Sequence, residues 1–188
     1  MTNVTEVFNA EANLFGPPRI PAGFEYQPQI ISPTEEAELA RAIATLPLEA
    51  FRFQGFVAKR RVMSFGWRYD FDRARFEQTD PIPEFLLPLR ARAAAFAGLG
   101  SDDLAHALVT EYAPGTPIGW HRDRPVFEDV IGVSLLSPCT FRFRRKSDRR
   151  TALDAPVAWT VKLNDCFKKK QTCSSFNTGA TSNPASWS

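Results

Sequence analysis

The feature that most constrains the fold is a run of short predicted strands in the second half of the chain. They cover residues 104–112, a segment around His121, residues 131–136 and residues 139–145, and Ala113-Pro114-Gly115 marks the first turn. Closely spaced strands with proline and glycine turns are typical of sandwiches and jelly rolls. The sequence therefore predicts a mainly β core of this kind.

Two predicted helices precede these strands. Ser32-Pro33-Thr34-Glu35 is a capping box with proline at the first helical position, and it predicts an amphipathic helix over residues 33–46. A second helix is predicted over residues 84–97, and Pro88 inside it indicates either a kink or a late start. Both helices are expected to pack on the outside of the β core.

Alternating apolar and polar residues predict further strands before the second helix. In the strand predicted over residues 51–58, Phe51 and Phe53 fall on the side predicted to be buried, and Phe56 is a further candidate. A polar loop over residues 72–83 is predicted to lead into the helix. The strands cover residues 24–31, 51–58 and 62–71.

The length of 188 residues fits one domain. We predict an irregular lead-in over residues 1–23 and the domain itself over residues 24–167, with one more strand at 157–163. Residues 168–188 hold too little apolar content to join a core and are predicted to be a disordered tail. The composition changes abruptly near residue 151, which suggests that a frame shift or a fusion has replaced the natural ending.

The cysteine spacing and the N-terminal sequence indicate the cellular compartment in which the protein is expected. Cys139, Cys166 and Cys173 match neither a disulfide framework nor a paired zinc site. The N-terminus has no basic start with an apolar stretch behind it, and no apolar run approaches the ~20 residues that span a bilayer. The sequence thus predicts a cytoplasmic protein without membrane association or an obligate protein partner.

The segment Ile118-Gly-Trp-His-Arg-Asp123 carries the clearest chemistry. His121 and Asp123 stand two residues apart, so in an extended strand both side chains project to one face. An imidazole with a carboxylate suits Fe(II), Mn(II) or Zn(II), and two histidines with one carboxylate mark non-haem Fe(II) oxygenases. By spacing alone, a surface turn in which Asp123 pairs with Arg122 or Arg124 is the more common case.

The residues around this segment carry more information than its spacing. The segments concerned are LVTEYAPGTPIGWHRD at 108–123, Pro125, Phe127, VIGVSLLS at 130–137, FRFR at 141–144 and, upstream, RVMSFGWRYD at 61–70. Together they resemble the AlkB-like family of Fe(II)- and 2-oxoglutarate-dependent dioxygenases, from about residue 24 to residue 150. The upstream segment is similar to the substrate-side hairpin of that family.

The resemblance implies an α+β, mainly β fold: a double-stranded β-helix, or jelly roll, with two outer helices and incomplete C-terminal strands. His121 and Asp123 would bind Fe(II), and 2-oxoglutarate and O₂ would be the co-substrates. Tyr112 falls where the family has a tyrosine on 2-oxoglutarate, and Thr110 replaces the usual asparagine. The implied reaction is oxidative demethylation of N-alkylated bases in DNA or RNA, as in alkylation repair.

On the substrate side the resemblance points to Phe65, Gly66, Trp67 and Tyr69, whose aromatic rings would stack on an extruded base. If the strand is regular, the three aromatic residues share one face. Ordinary core or cross-strand packing is the alternative, and for Phe65 it explains the residue equally well. Nucleic-acid phosphate contacts fall to a basic cluster, for which a charged edge strand is the alternative. These arginines are Arg142, Arg144 and Arg145.

Two family positions have no match. The family carries a distal iron-binding histidine and a 2-oxoglutarate-binding arginine downstream, but no histidine follows His121 and no arginine follows Arg150. His106, the other histidine, fits a structural role. Two alternatives therefore stay open: a catalytically impaired, truncated or frame-shifted relative that binds nucleic acid, and an oxygenase of the same fold acting on protein or small molecules.

Overall fold

The computed structural model describes residues 23–53, 55–70, 73, 75–116, 118–119, 127, 129–143, 157–161, 166–170 and 176–179. The chain divides into two units. We call Ile31–Thr116 the helical unit, and Met1–Ile30 together with Pro117–Ser188 the strand unit. None of the described helices is long and apolar enough to cross a membrane.

Strands and helices follow one another in this order: β1 Phe24–Gln27, α1 Pro33–Ala44, β2 Glu49–Phe53, β3 Phe56–Phe65, β4 Trp67–Asp70, β5 Arg75–Gln78, α2 Leu87–Ala97, β6 Ala107–Glu111, β7 Asp129–Val133, β8 Cys139–Phe143, β9 Val157–Val161, β10 Cys166–Lys170 and β11 Phe176–Gly179. Short 3₁₀ turns at Glu84–Leu86 and Ser101–Asp103 flank α2. The described part is thus mainly β with two helices, as predicted.

Helix α1 confirms the predicted capping box. The Glu35 N–H donates to Ser32 Oγ at 3.2 Å, and the Ser32 N–H donates to Glu35 Oε2 at 2.8 Å. These bonds satisfy two backbone groups that the first helical turn would otherwise leave unpaired. The Arg92 guanidinium of α2 also donates to Glu35, and this bond, followed by those from Ser32, lowers the pKa of Glu35 to about 2.

Helix α2 shows how Pro88 is accommodated. A 3₁₀ turn precedes it, the α-helix begins at Leu87, and Pro88 lies in its first turn, where no N–H is required. The late start is therefore confirmed. Gly98 ends the helix in the left-handed conformation at φ 68°.

Two predictions about the strands of the helical unit are wrong. Residues 51–58 form not one strand but the end of β2 and the start of β3, because Gly55 at φ 81° lets the chain reverse and Phe53 pair with Phe56. Phe56 is 77% exposed at this tip and so does not join the buried side. The chain then continues through β3 to β6, which gives an antiparallel sheet in the order β2-β3-β6.

Further along, the predicted strand over residues 62–71 is divided at Gly66, and the predicted polar loop over residues 72–83 contains β5. Strand β5 pairs antiparallel with β4, and Tyr69 faces Phe76 across the pair. Their rings meet edge to face with centroids 5.2 Å apart. This contact helps explain why a polar stretch forms a strand.

The strand unit contains two three-stranded antiparallel sheets, ordered β1-β10-β7 and β11-β8-β9. The strands predicted over residues 24–31, 131–136, 139–145 and 157–163 are present with shorter or shifted bounds. Strand β10 includes Lys168–Lys170 and pairs on both sides, and β11 lies further along. Residues 168–170, at the start of the predicted tail, therefore belong to a paired strand, because backbone pairing does not require apolar side chains. The rest of residues 168–188 lies outside the described part, and the division into lead-in, domain and tail stays a prediction.

Candidate active site

The metal-ligand pair predicted from the sequence, His121 and Asp123, lies outside the described residues, as do Arg144 and Arg145. Arg142 is part of β8, where its backbone stands opposite Asn177 of β11 and Ala158 of β9. The roles assigned to these residues stay predictions.

The predicted co-substrate residues share one face of β6. Thr110 is partly buried and stands opposite Val62 of β3, and Tyr112 follows directly after the strand with 37% of its surface exposed. Residues two apart in an extended chain project to the same side, so the Thr110 hydroxyl and the Tyr112 phenol point the same way. Both groups donate and accept hydrogen bonds.

A cation that sequence reasoning missed lies on this same face. Arg61 stands opposite Glu111, and Arg60 and Tyr112 are the next residues beyond that pair, on the same side of the sheet as Val62 and Thr110. The Arg60 guanidinium carbon lies 4.0 Å from the centroid of the Phe51 ring, which is a cation–π contact. Burial lowers the pKa of Arg60, and the nearby Tyr112 acts against that shift.

In the sequence, Lys59-Arg60-Arg61 reads as a single basic cluster. A strand separates such neighbours, because alternate residues face opposite sides of the sheet. Arg61 projects from the opposite face and forms an exposed ion pair with Glu111 at 2.7 Å, which raises the pKa of Arg61. The alternation of Ala58, Arg60 and Val62 is the signal that would have distinguished Arg60 from its neighbours.

The predicted substrate-side aromatics do not form a regular strand. Phe65 is 3% exposed at the end of β3, whereas Trp67 is 41% exposed at the start of β4, and Gly66 breaks the strand between them. One shared face was expected if a single regular strand ran through all three aromatic residues, and the structure does not meet that condition. Burial favours core packing for Phe65, while exposure leaves the Trp67 ring accessible to a ligand.

Gly66 fixes the start of the β4–β5 hairpin, residues 67–78. Its φ is 75°, its N–H donates to the Asp80 carbonyl at 2.7 Å, and its carbonyl accepts from the Thr79 N–H at 3.1 Å. A Cβ at this position would lie 2.1 Å from the Ala105 carbonyl oxygen, which is too close for any side chain to be accommodated without a shift of the backbone. Only glycine fits here, so the residue sets the backbone of this hairpin.

The second face of the β4–β5 hairpin is charged. Arg68 and Arg75 each approach Glu77 at 2.9 Å, and Arg73 does so at 3.4 Å. The hydrogen bond from Arg68, with that from Arg75, lowers the pKa of Glu77 to about 2. Tyr69 and Phe76 project from the opposite face, so the hairpin has one aromatic and one ionic side.

The other histidine does not stand with the co-substrate residues. His106 precedes β6 and is partly buried, and burial lowers its pKa, which favours the neutral imidazole at pH 7. Four residues of extended chain separate it from Thr110 by ~13 Å. Within the described ranges, no three residues of the His, Cys, Asp and Glu types are grouped so that they could hold a metal ion. The described residues by themselves therefore do not form the three-ligand set of an iron site.

Comparison with known proteins identifies the family. The model of the 2OG-Fe(II) oxygenase superfamily matches residues 23–167. The structure of OsALKBH1 is similar with a TM-score of 0.66 and 13% identity, over 86% of each chain. A 2OG-Fe(II) oxygenase family oxidoreductase from Burkholderia pseudomallei has a TM-score of 0.53 and 15% identity, over 84% of this chain and 78% of that one.

No curated protein matches the chain. At these identities the solved structures show the fold alone, while the family model covers most of the chain. The predicted jelly-roll class, with its two helices, and the predicted AlkB-like relationship are both confirmed, although the sheets of the described part do not close into a barrel. The chain belongs to the 2OG-Fe(II) oxygenase superfamily and has its dioxygenase fold.

Proposed function

We propose that this chain is an AlkB-like dioxygenase that demethylates N-alkylated bases in DNA or RNA, with Fe(II), 2-oxoglutarate and O₂ as cofactor and co-substrates. The observation that carries the proposal is the β4–β5 hairpin, which exposes an aromatic side chain on one face and arginines on the other, within a fold of the oxygenase superfamily. The fold that carries this hairpin is similar to that of OsALKBH1. A cytoplasmic location belongs to the proposal.

Each part of the hairpin has a role in this proposal. Trp67, at 41% exposure, offers a ring on which an unpaired base can stack, and Tyr69 lies on the same strand two residues further on. Gly66 sets the start of the hairpin and so the place of Trp67. Phe65 supports the hairpin from the core, where it is 3% exposed.

Phosphate contacts are assigned to Arg142, Arg144 and Arg145, which would hold the nucleic acid without reading its sequence. Thr110 and Tyr112 are assigned to 2-oxoglutarate, because their hydroxyl groups share a face. His121 and Asp123 are assigned to the metal as two of its protein ligands. Since a third ligand is not found, the proposal rests on the family and the hairpin and not on a complete metal centre.

The proposal is tested by product formation. The purified chain is incubated with Fe(II), ascorbate, 2-oxoglutarate and an N-methylated single-stranded oligonucleotide, and succinate and formaldehyde are measured. We expect both products in equal amounts, and neither with an unmethylated oligonucleotide. Succinate no higher than that of His121→Ala would refute the proposal. Succinate formed with methylated peptides but not with oligonucleotides would move the substrate class to protein.

A second candidate is a relative that binds nucleic acid without turnover, and it is favoured because no histidine follows His121 and no arginine follows Arg150. Binding through phosphate contacts releases counterions, so affinity should fall steeply between 50 and 200 mM salt, by orders of magnitude if several phosphates are held. Oligonucleotide binding by fluorescence anisotropy at a series of salt concentrations measures this. Affinity independent of salt would exclude the candidate.

A further inference from the structure

One cation of the helical unit lacks a carboxylate partner although it is partly buried. Arg61, Arg68, Arg73, Arg75, Arg90 and Arg92 each form an ion pair with a carboxylate. Among the arginines of the helical unit that the structure describes, Arg41, Arg52 and Arg60 do not, and of these only Arg60 is partly buried. A guanidinium stays protonated in proteins, so Arg60 carries a positive charge on a face from which water is partly removed.

Within the described part of the chain no carboxylate pairs with Arg60, and an aromatic ring holds its guanidinium in position. The face of the Phe51 ring lies 4.0 Å from the guanidinium carbon, and an aromatic face attracts a cation without accepting its hydrogen bonds. The five N–H groups of the planar fork can therefore turn to another acceptor. A guanidinium fork pairs with a carboxylate through two parallel hydrogen bonds.

Two hydroxyl groups lie on the same side of the sheet as Arg60. Thr110 stands opposite Val62, which is two residues from Arg60 along β3, and Tyr112 follows β6 and lies near enough to affect the pKa of Arg60. A phenol, an aliphatic hydroxyl and one guanidinium offer directed donors and one positive charge. This set matches one carboxylate group, which is planar and carries one negative charge. A phosphate dianion would need more cations than this face provides.

We propose that Arg60, together with Tyr112 and Thr110, binds one carboxylate of a small dicarboxylate. The inference rests on the proposed function, under which that group is the far carboxylate of 2-oxoglutarate. Arg60 then takes the role that the resemblance gives to an arginine beyond Arg150, although it comes from a different strand, β3. The co-substrate pocket would thus be anchored within the helical unit.

The test is the binding of dicarboxylates measured by calorimetry without added metal. Glutarate and 2-oxoglutarate are titrated into the full chain, and 2-oxobutyrate, which lacks the far carboxylate, serves as the ligand control. Arg60→Met is compared with Lys59→Met, which removes one positive charge from the adjacent residue on the opposite face of β3. Arg60→Lys keeps the charge but loses the fork.

We expect both dicarboxylates to bind the wild-type chain, and Arg60→Met to weaken them at least about tenfold, as the loss of a charge-assisted bond implies. Lys59→Met should bind like the wild type, and 2-oxobutyrate should not distinguish the variants. Circular dichroism checks the fold of each variant. If Arg60→Met does not fold, Arg60→Lys decides, since it should fold and still lose affinity several-fold.

Equal affinity of Arg60→Met (or, in its place, Arg60→Lys) and the wild type would overturn the inference, as would an equal loss in Lys59→Met or no binding to the wild type. The succinate assay separates this from the proposed function. Arg60-dependent binding of dicarboxylates without any succinate leaves the site standing and refutes the reaction. Succinate formation that Arg60→Met leaves unchanged supports the reaction and refutes the site.

Discussion

The β2–β3 hairpin, residues 49–65, and the β4–β5 hairpin follow each other in the helical unit. They differ in whether their arginines pair with carboxylates. In the β4–β5 hairpin three arginines surround Glu77, so its cations are compensated within the hairpin. In the β2–β3 hairpin Arg60 lies over Phe51 with no carboxylate partner among the described residues. The three arginines of the second hairpin thus have a carboxylate partner inside that hairpin, whereas for Arg60 of the first hairpin we propose a carboxylate supplied by a ligand.

The two hairpins also differ in their glycines, and this gives the largest expected effect. Gly66→Ala should destabilise the fold by about 3 kcal/mol, because the left-handed backbone costs about 1–2 kcal/mol and the contact with the Ala105 carbonyl adds to it. Gly55→Ala has a similar φ but nothing within 4 Å, so about 1 kcal/mol is expected. Urea unfolding of both variants measures the difference. Equal losses of stability would show that the structure moves the Ala105 carbonyl away from the added methyl group at little cost in free energy.

The next effect concerns the aromatic face of the second hairpin. Trp67→Ala should weaken binding of a methylated single-stranded oligonucleotide by about 1–3 kcal/mol, since each stacked base contributes about that much. Leu87→Ala is the matched control, because Leu87 is also 41% exposed but lies at the start of α2. Fluorescence anisotropy gives both affinities. A similar loss in the two variants would mean that Trp67 has no specific part in binding.

Compensation within the second hairpin predicts a pH dependence. Arg68 and Arg75 lower the pKa of Glu77 from 4.5 to about 2, so the folded state favours the ionised carboxylate. The stabilisation is complete above pH 4.5 and is lost as the pH falls toward 2. Glu77→Gln should remove this part of the acid dependence of Tm and lower Tm modestly at pH 7. An unchanged acid profile in Glu77→Gln would contradict the network.

The smallest effect is expected on the outer face of the first hairpin. Arg61→Met breaks the exposed ion pair with Glu111, and such pairs contribute little because water screens both charges. Its Tm should fall less than that of Gly55→Ala, and dicarboxylate binding should stay unchanged. A large loss of affinity in Arg61→Met would show that the two faces of β3 are not independent.

The sequence predicted those parts of the fold that depend on local signals. The capping box at Ser32, the early Pro88 and the terminal Gly98 act through their own backbone, so both helices were found within two or three residues. Strand β5 was missed because its support comes from across the hairpin, through Arg68 on Glu77 and Tyr69 on Phe76. Such pairings are not visible along the chain.

The candidate site shows the same limit. The resemblance pointed to Thr110 and Tyr112 as co-substrate residues, and the structure has Thr110 in β6 opposite Val62, with Tyr112 directly after the strand; their role stays a prediction. Arg60 was hidden in a run of three basic residues, because composition cannot say which of them turns inward. Its distinction from Lys59 and Arg61 depends on the register of β3 with β6 and on the contact with Phe51.

Strand β10 has a practical consequence for work with this protein. Lys168, Lys169 and Lys170 form three successive trypsin sites, but Lys168 and Lys169 pair with both β1 and β7, and Lys170 pairs with Asp129 of β7. A protease must hold its substrate as an extended chain, so cleavage there requires the strand to leave the sheet first. The rate of tryptic cleavage after these lysines therefore reports how often this sheet opens.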